Sequence, residues 1–319
     1  MTTALVTGAA GFFGQAIVSA LACRGCDVVA TDRVDPAAFP LRYGTPPERV
    51  TYVQRDLVDE GVDGIINDVE GIVHAAALTL PDDPDGACDM LLQVNVGPLP
   101  GLLSSVRGAP SCRRLVLISS AGVYDQAPER TLREADASGG RNLYGASKFA
   151  GELIASRYCA IHGIAYTAVR PTSLFGPGER ERPSRPSVSP LVRAVECALS
   201  GVPVRIERGS ARRDWLSVDD AADAVATLWV EPELDGRAYN LSSGRTRPFD
   251  DVVAAVVRAT GLQVDPDSDT VVDGGPDRAA VVDSGALAER LGWQATRSLD
   301  DGIRDVVADI RRGASACST

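Results

Sequence analysis

Lysine is almost absent from this chain. Of 32 basic residues in 319 positions, a single one, Lys148, is a lysine and the others are arginines. Histidine occurs twice, as His74 and His162, and the seven cysteines form no zinc-ligand spacing with either one. An odd cysteine count does not suggest a disulfide framework, and Cys23-Arg-Gly-Cys26, at a helix-to-strand junction with Gly25 as a C-cap, reads as small buried thiols. No run of about 20 apolar residues is present, which excludes a membrane-spanning helix. Met1 to Val6 reaches a glycine turn too soon to hold a secretory signal, so a soluble cytoplasmic protein is expected. Positive charge is also in deficit: the net charge is −11 and the pI near 4.8. That balance disfavours attachment to nucleic acid or to an anionic membrane and directs attention to small-molecule partners.

What is present is ordinary for a folded globular protein. A hydrophobic content of 45% supports a buried core, and the length suits two domains or one α/β unit with a substantial elaboration. The one lysine stands four residues after Tyr144, in Tyr144-Gly-Ala-Ser-Lys148. On a helix the two side chains share a face, where a compact ammonium stabilises a phenolate and makes Tyr144 a proton donor or acceptor. On spacing alone, a surface helix with a chance tyrosine and lysine would look the same.

Thr3 to Thr7 reads as a strand, followed by Gly8-Ala-Ala-Gly11-Phe12-Phe13-Gly14, a helix from Gln15 to Arg24, and a strand Asp27 to Thr31 that ends at Asp32. Glycines let the backbone approach a pyrophosphate, and the helix N-terminus offers unpaired N–H groups. Asp32 would accept hydrogen bonds from the adenosine ribose and repel a 2′-phosphate, favouring NAD over NADP, although Arg33 could pair with that phosphate. Strands at Val50 to Gln54, Gly71 to Ala77 and Arg114 to Ser119, with one helix from about Met90 to Arg107, continue the alternation. The expected fold is α/β, a doubly wound parallel sheet. His74 reads as a strand-end histidine packed under the cofactor, and Ser120 lies where ligands approach such sheets, beyond a strand's carboxyl end.

These motifs together resemble the extended short-chain dehydrogenases/reductases of the NAD-dependent epimerase/dehydratase kind. The resemblance extends through Ser119-Ser120-Ala-Gly-Val-Tyr124, Arg170-Pro-Thr-Ser-Leu-Phe-Gly-Pro-Gly178, Arg213-Asp-Trp-Leu-Ser-Val-Asp-Asp220, Tyr239-Asn-Leu-Ser-Ser-Gly244 and Leu291-Gly-Trp293. It implies catalysis by Ser120, Tyr144 and Lys148. It implies NAD bound by Gly8, Gly11, Phe12, Phe13, Gly14, Asp32, Arg33, Asp56, Leu57, Ala75, Ala76, Asn95, Tyr144 and Lys148, with Asn95 equally readable as a satisfied helix asparagine. It also implies a Rossmann domain of residues 1–170 and 216–243, interleaved with a smaller α/β substrate domain of residues 171–215 and 244–319, and a homodimer.

The expected activity is hydride transfer to or from a secondary carbinol of a sugar, a nucleotide sugar or a sugar-like metabolite. Family dehydratases carry an acidic pair after the catalytic hydroxyl, whereas this chain has Ala121 and Gly122. Many sugar-nucleotide enzymes of the family carry an asparagine where this chain has Ser173, which leaves a hydroxy acid or natural-product ketone as an alternative substrate. Arg213 and Arg278 match diphosphate-binding arginines, with an Arg–Asp structural pair as the other reading of Arg213. Residues 176 to 190 read as a loop over the site, in which the guanidinium forks of Arg180, Arg182 and Arg185 could clamp phosphate or carboxylate; their alternation with Glu179 and Glu181 favours a solvated charge run.

Overall fold

A computed structural model of the chain describes residues 2–39, 41–42, 44–79, 87–125, 130–182 and 185–316. Met1, Cys317 and two loop residues, Pro183 and Ser184, therefore lie outside the described residues. Seven parallel strands form the main sheet, in the spatial order Ala238–Leu241, Ala165–Pro171, Arg114–Ile118, Gly71–His74, Thr3–Thr7, Asp27–Asp32 and Val50–Gln54. From Thr3–Thr7 the chain winds outward to one edge, then returns to Gly71–His74 on the other side and winds toward the opposite edge. The strand order thus reverses between Thr3–Thr7 and Gly71–His74. At such a switch point the flanking connections leave toward opposite faces and open a crevice at the strands' carboxyl ends.

The inner strands are buried on both faces, which accounts for their continuous apolar runs, while the edge strand Val50–Gln54 is partly exposed. One face is covered by the first helix, Phe12–Cys23, and by Val218–Val230, whose Trp229 is fully buried. The other is covered by Leu99–Gly108 and Leu143–His162. The single helix expected from Met90 to Arg107 is two helices, Ala87–Asn95 and Leu99–Gly108. Pro98 supplies the N-cap of the second and has no N–H to continue the first, so the break has a local cause. The first helix begins at Phe12, three residues before the expected start, because Gly11 is its N-cap.

A second apolar cluster gathers Phe175, Trp215 and Phe249 with the helices Pro190–Leu199, Phe249–Thr260 and Leu299–Ala316. Beside it runs a three-stranded sheet of Thr246–Pro248, Arg212–Ser217 and Ser173–Phe175. Val281–Val282 pairs with Thr131–Leu132, returning the late part of the chain to the neighbourhood of Ser120. No helix among the described residues is long and apolar enough to cross a membrane.

Candidate active site

The glycine turn occupies the switch-point crevice. Gly8 has φ +66°, and a Cβ there would lie 2.5 Å from both Cα and N of Ala76, so the first and fourth strand ends close to backbone contact only because position 8 is glycine. A Cβ on Gly14 would lie 2.0 Å from the Gly8 carbonyl oxygen, which makes Gly14 a packing glycine between turn and helix. A cavity of about 750 Å³ opens against this turn. Gly8, Gly11, Asp32 and Arg33 line one side of it, and Asp56, Leu57, Ala75 and Ala76 line the other. Two of the expected cofactor residues point elsewhere: Phe12 is buried under the Arg185 guanidinium, 5.4 Å from its ring centroid, and Phe13 packs against the core.

Asp32 is held in place by the turn. Its Oδ2 accepts from the Ala10 N–H at 3.0 Å and its Oδ1 from the Arg33 N–H at 2.8 Å. Burial raises its pKa, and hydrogen bonds from the Ala10, Arg33 and Val34 amides oppose that rise. His74 lies beneath the turn, fully enclosed, with Nδ1 2.8 Å from Thr7 Oγ1, while that hydroxyl also accepts from the Ala76 N–H at 3.4 Å. Burial first, and the Lys148 charge second, push the His74 pKa down to about 3, so the ring is neutral and serves as a strut between two strand ends. Asn95 bridges as well: its Oδ1 accepts from the Leu78 N–H at 2.7 Å, and its Nδ2 donates to the Leu78 carbonyl and to Ser147 Oγ. Its amide is thus satisfied by protein, fixing the cavity wall to the helix that carries Tyr144.

That helix, Leu143–His162, is capped by Asn142, whose Oδ1 accepts from the Gly145 N–H at 2.8 Å. Its first turn presses on the loop after Ser120. A Cβ on Gly140 or on Gly145 would lie 2.0 or 2.1 Å from the Gly122 carbonyl oxygen. Bare glycine at these positions lets the start of the Tyr144 helix close onto the loop that follows Ser120. A methyl placed on Gly122 would sit 3.3 Å from Ser120 Oγ and 3.6 Å from Tyr144 Cδ1, so hydroxyl and ring face one small space. Ser120 Oγ accepts from the Gly122 N–H at 3.0 Å, which orients it.

Lys148, one turn further along, is buried at 6% exposure. Burial lowers its pKa to about 8, and the Glu152 carboxylate resists the shift. Glu152 in turn holds Arg170 through Nε at 3.0 Å and Nη2 at 2.6 Å, while Arg170 Nη1 donates to Tyr124 Oη and to the Glu134 carbonyl, both at 2.8 Å. A buried ion pair therefore braces the lysine from behind. Sequence reasoning gave neither member a role, although Glu152 stands four residues after Lys148.

Ser120, Ser173 and Arg278 line a second, smaller cavity with Asp214 at its back. Asp214 accepts from Thr172, Ser242 and Ser243 side chains and holds this corner together. Arg278 donates its N–H to the Arg212 carbonyl at 2.8 Å, which sets it beside Arg213. Arg213 lies over the Trp215 ring, and a Cβ on Gly275 would collide with its Nη2. Burial, followed by repulsion from Arg278, lowers the Arg213 pKa to about 10, and its buried Nε has no hydrogen-bond partner among the described residues. The Arg–Asp structural pair considered for Arg213 does not form with Asp214, whose bonds go to the hydroxyls and the Ser243 amide. The charge run is solvated only in part: Arg180 and Glu181 are exposed, whereas Glu179 is buried and Arg182 and Arg185 are half-buried. Glu179 is 3% exposed and accepts from Ser189 N and Oγ and from Arg185, because the loop folds inward onto the helix Pro190–Leu199.

A site with a glycine turn at a parallel-sheet switch point and a Ser–Tyr–Lys set beside it defines a dinucleotide-dependent oxidoreductase class. The model of the NAD dependent epimerase/dehydratase family matches residues 4–242. Over 317 residues the chain is 28% identical to a UDP-glucose 4-epimerase of Mycolicibacterium smegmatis, covering 96% of this chain and 98% of that protein. It is also 28% identical over 324 residues to a dTDP-glucose 4,6-dehydratase of Streptomyces griseus, covering 97% and 94%. Among solved structures, the Thermus thermophilus UDP-glucose 4-epimerase complex with NAD aligns at TM-score 0.79 and 26% identity, covering 97% of this chain and 99% of that one. The chain belongs to the NAD-dependent epimerase/dehydratase family of extended short-chain dehydrogenases/reductases, and its cofactor is NAD. The residues fit that cofactor. The glycines of the turn would let a pyrophosphate approach the backbone, Asp32 lines the cavity and would accept from ribose hydroxyls, and Lys148 makes no hydrogen bond to any described residue, so its donors could serve ribose.

Proposed function

We propose that this enzyme oxidises, and in the same site re-reduces, a secondary carbinol of a nucleotide-linked sugar, with Tyr144 as acid and base. In this reading residues 1–170 and 216–243 hold NAD, and residues 171–215 and 244–319 hold the substrate. Bound NAD supplies the hydride acceptor. Tyr144 takes the proton from the substrate hydroxyl, Ser120 donates a hydrogen bond to the same oxygen, and Lys148 stabilises the negative charge that passes through it. Return of the hydride to the opposite face after the sugar turns over gives the epimer, with Tyr144 giving the proton back. Ala121 and Gly122 put no carboxylate next to Ser120, so no group there protonates a leaving hydroxyl, and the reading is hydride transfer without dehydration.

The observation that carries the substrate class is the Arg213–Arg278 pair. Burial holds both guanidiniums below their ordinary pKa, the Arg278 charge lowers Arg213 further, and Arg213 keeps a buried Nε with no partner among the described residues; with Arg278 lining the Ser120 cavity, the two suit a doubly charged anion such as a diphosphate. Ser173 at that cavity supports a second reading, a substrate without the nucleotide. Calorimetric titration with UDP, in the presence of NAD, separates the two. Arg213→Ala and Arg278→Ala should each weaken UDP binding about 10- to 100-fold. Wild-type protein that binds glucose or a hydroxy acid but not UDP would overturn the nucleotide-sugar reading.

Two further readings concern the protein's surroundings. Exposed Leu153, Ile154 and Ile161 on Leu143–His162 offer apolar surface to a homodimer, which light scattering tests. The cytoplasm, where NAD and sugar nucleotides are abundant, suits this chemistry, and cell fractionation tests that location.

A further inference from the structure

The three arginines of the loop after Phe175 have different partners. Arg180 pairs with Asp309 on the last helix at 3.0 Å, and Arg185 pairs with buried Glu179. Arg182 forms no ion pair with a described carboxylate. It is half-buried, donates to the carbonyls of Ala10 and Gly178, and lines the cofactor cavity together with Gly8, Ala10, Gly11 and Asp32. The Ala10 carbonyl belongs to the glycine turn and also accepts from Gln15 Nε2 at 2.8 Å, so the guanidinium is seated where the turn meets the first helix.

The segment that carries it is held from behind. Gly178 has φ +85°, and a Cβ there would lie 3.4 Å from Gln15 Oε1, so the backbone lies close over the start of the first helix. The Gly178 N–H donates to Asp309 Oδ2 at 2.9 Å, and the same oxygen accepts from Arg180. Asp309 thus fixes both residues that precede Arg182 by four and by two positions. The positive end of the helix and the turn's N–H groups already favour an anion here, and a half-buried arginine that feels the Asp32 charge but is ion-paired with no described carboxylate adds a forked donor to the same place.

We propose that Arg182 is a cofactor-binding residue that contacts the NAD pyrophosphate, carried there by a strap of residues 176–182 anchored on Asp309. NAD is then gripped from two sides: the glycine turn beneath and a residue from beyond the main sheet above. The proposal rests on NAD occupying the switch-point cavity, which adenosine binding tests separately because adenosine engages Asp32 and lacks the pyrophosphate.

The experiment is calorimetric titration of full-length wild-type, Arg182→Ala, Arg182→Lys and Asp309→Asn proteins with NAD, ADP-ribose and adenosine. Arg182→Ala should weaken NAD and ADP-ribose by about 10- to 100-fold, the range for a lost charge-assisted hydrogen bond, and leave adenosine within about twofold. Arg182→Lys should recover part of that loss. Asp309→Asn should weaken NAD by about threefold through the looser strap, with adenosine unaltered. Equal loss of adenosine and NAD in Arg182→Ala would show that Arg182 only braces the glycine turn and would overturn the proposal, as would unchanged NAD binding. Unchanged NAD binding in Asp309→Asn would overturn the anchoring. Thermal unfolding of each variant without cofactor checks the fold, and wild-type protein that binds adenosine but neither ADP-ribose nor NAD would sink the cofactor reading itself.

Discussion

Replacing Glu152 by glutamine should disturb stability and catalysis together. The carboxylate is buried, shares the single Arg170 Nε–H between its two oxygens, accepts another hydrogen bond from Nη2, and opposes the burial that lowers the Lys148 pKa to about 8. Glutamine nearly matches its shape but leaves the Arg170 charge uncompensated in a site with 5% side-chain exposure. Breaking such a pair costs about 3–5 kcal/mol, and each kcal/mol lowers Tm by roughly 2–4 °C in a protein of this order of size, so a fall of about 10 °C is expected. Changing both partners to apolar residues, Glu152→Leu with Arg170→Met, should cost about 2–3 kcal/mol less than the sum of the single changes.

The same substitution removes the charge that sustains the Lys148 ammonium. The folded Lys148 pKa lies below the ordinary 10.5, so the ammonium is lost as pH rises through about 8, and kcat/KM of the wild type should fall along an alkaline limb there. In Glu152→Gln that limb should move to lower pH. The assays are thermal unfolding of the four proteins of the cycle and pH–rate profiles for wild type and Glu152→Gln. A coupling energy below about 0.5 kcal/mol, or an alkaline limb that stays in place, would refute this account of how the lysine is supported.

Other consequences follow from the turn and its strut. His74 has a folded pKa of about 3 against an ordinary 6.5, so the unfolded chain binds more protons between those values. Its contribution to stability is complete above about pH 6.5 and is lost as pH falls toward 3; chemical denaturation at several pH values should show a slope in that window that His74→Asn flattens. Gly8→Ala places a Cβ 2.5 Å from the Ala76 backbone at a left-handed φ, which should cost about 1–2 kcal/mol of stability and weaken NAD binding about tenfold, measured by unfolding and by titration. Asp32→Ser should lose the preference for NAD over NADP, and wild-type protein that bound NADP as tightly as NAD would contradict the role given to Asp32.

The glycine turn, Asp32 and the Tyr144–Lys148 pair were readable because each depends on local spacing: a strand's end, a helix's first turn, or positions i and i+4 on one face. Other features depend on distant parts of the chain. Arg182 meets a carbonyl 172 positions away, and nothing in the alternation of arginine and glutamate around it separates an inward-folded strap from a solvated run. Arg213 and Arg278 come together through the Arg278-to-Arg212 backbone bond, a contact of tertiary structure. The Arg170–Glu152 pair likewise joins a strand and a helix. Gly97 and Pro98, by contrast, stood in plain view, and the expectation of one helix there gave their break too little weight. Burial of Glu179 has no sequence signal, since glutamate is ordinarily a surface residue.

The central claim is that Tyr144 moves the substrate's proton. It is tested by purified Tyr144→Phe, titrated with NAD and assayed for reduced-nicotinamide formation and epimer formation from UDP-glucose and dTDP-glucose. An NAD affinity within about threefold of wild type with turnover reduced at least about 100-fold is the predicted result. Wild-type turnover in that variant would contradict it.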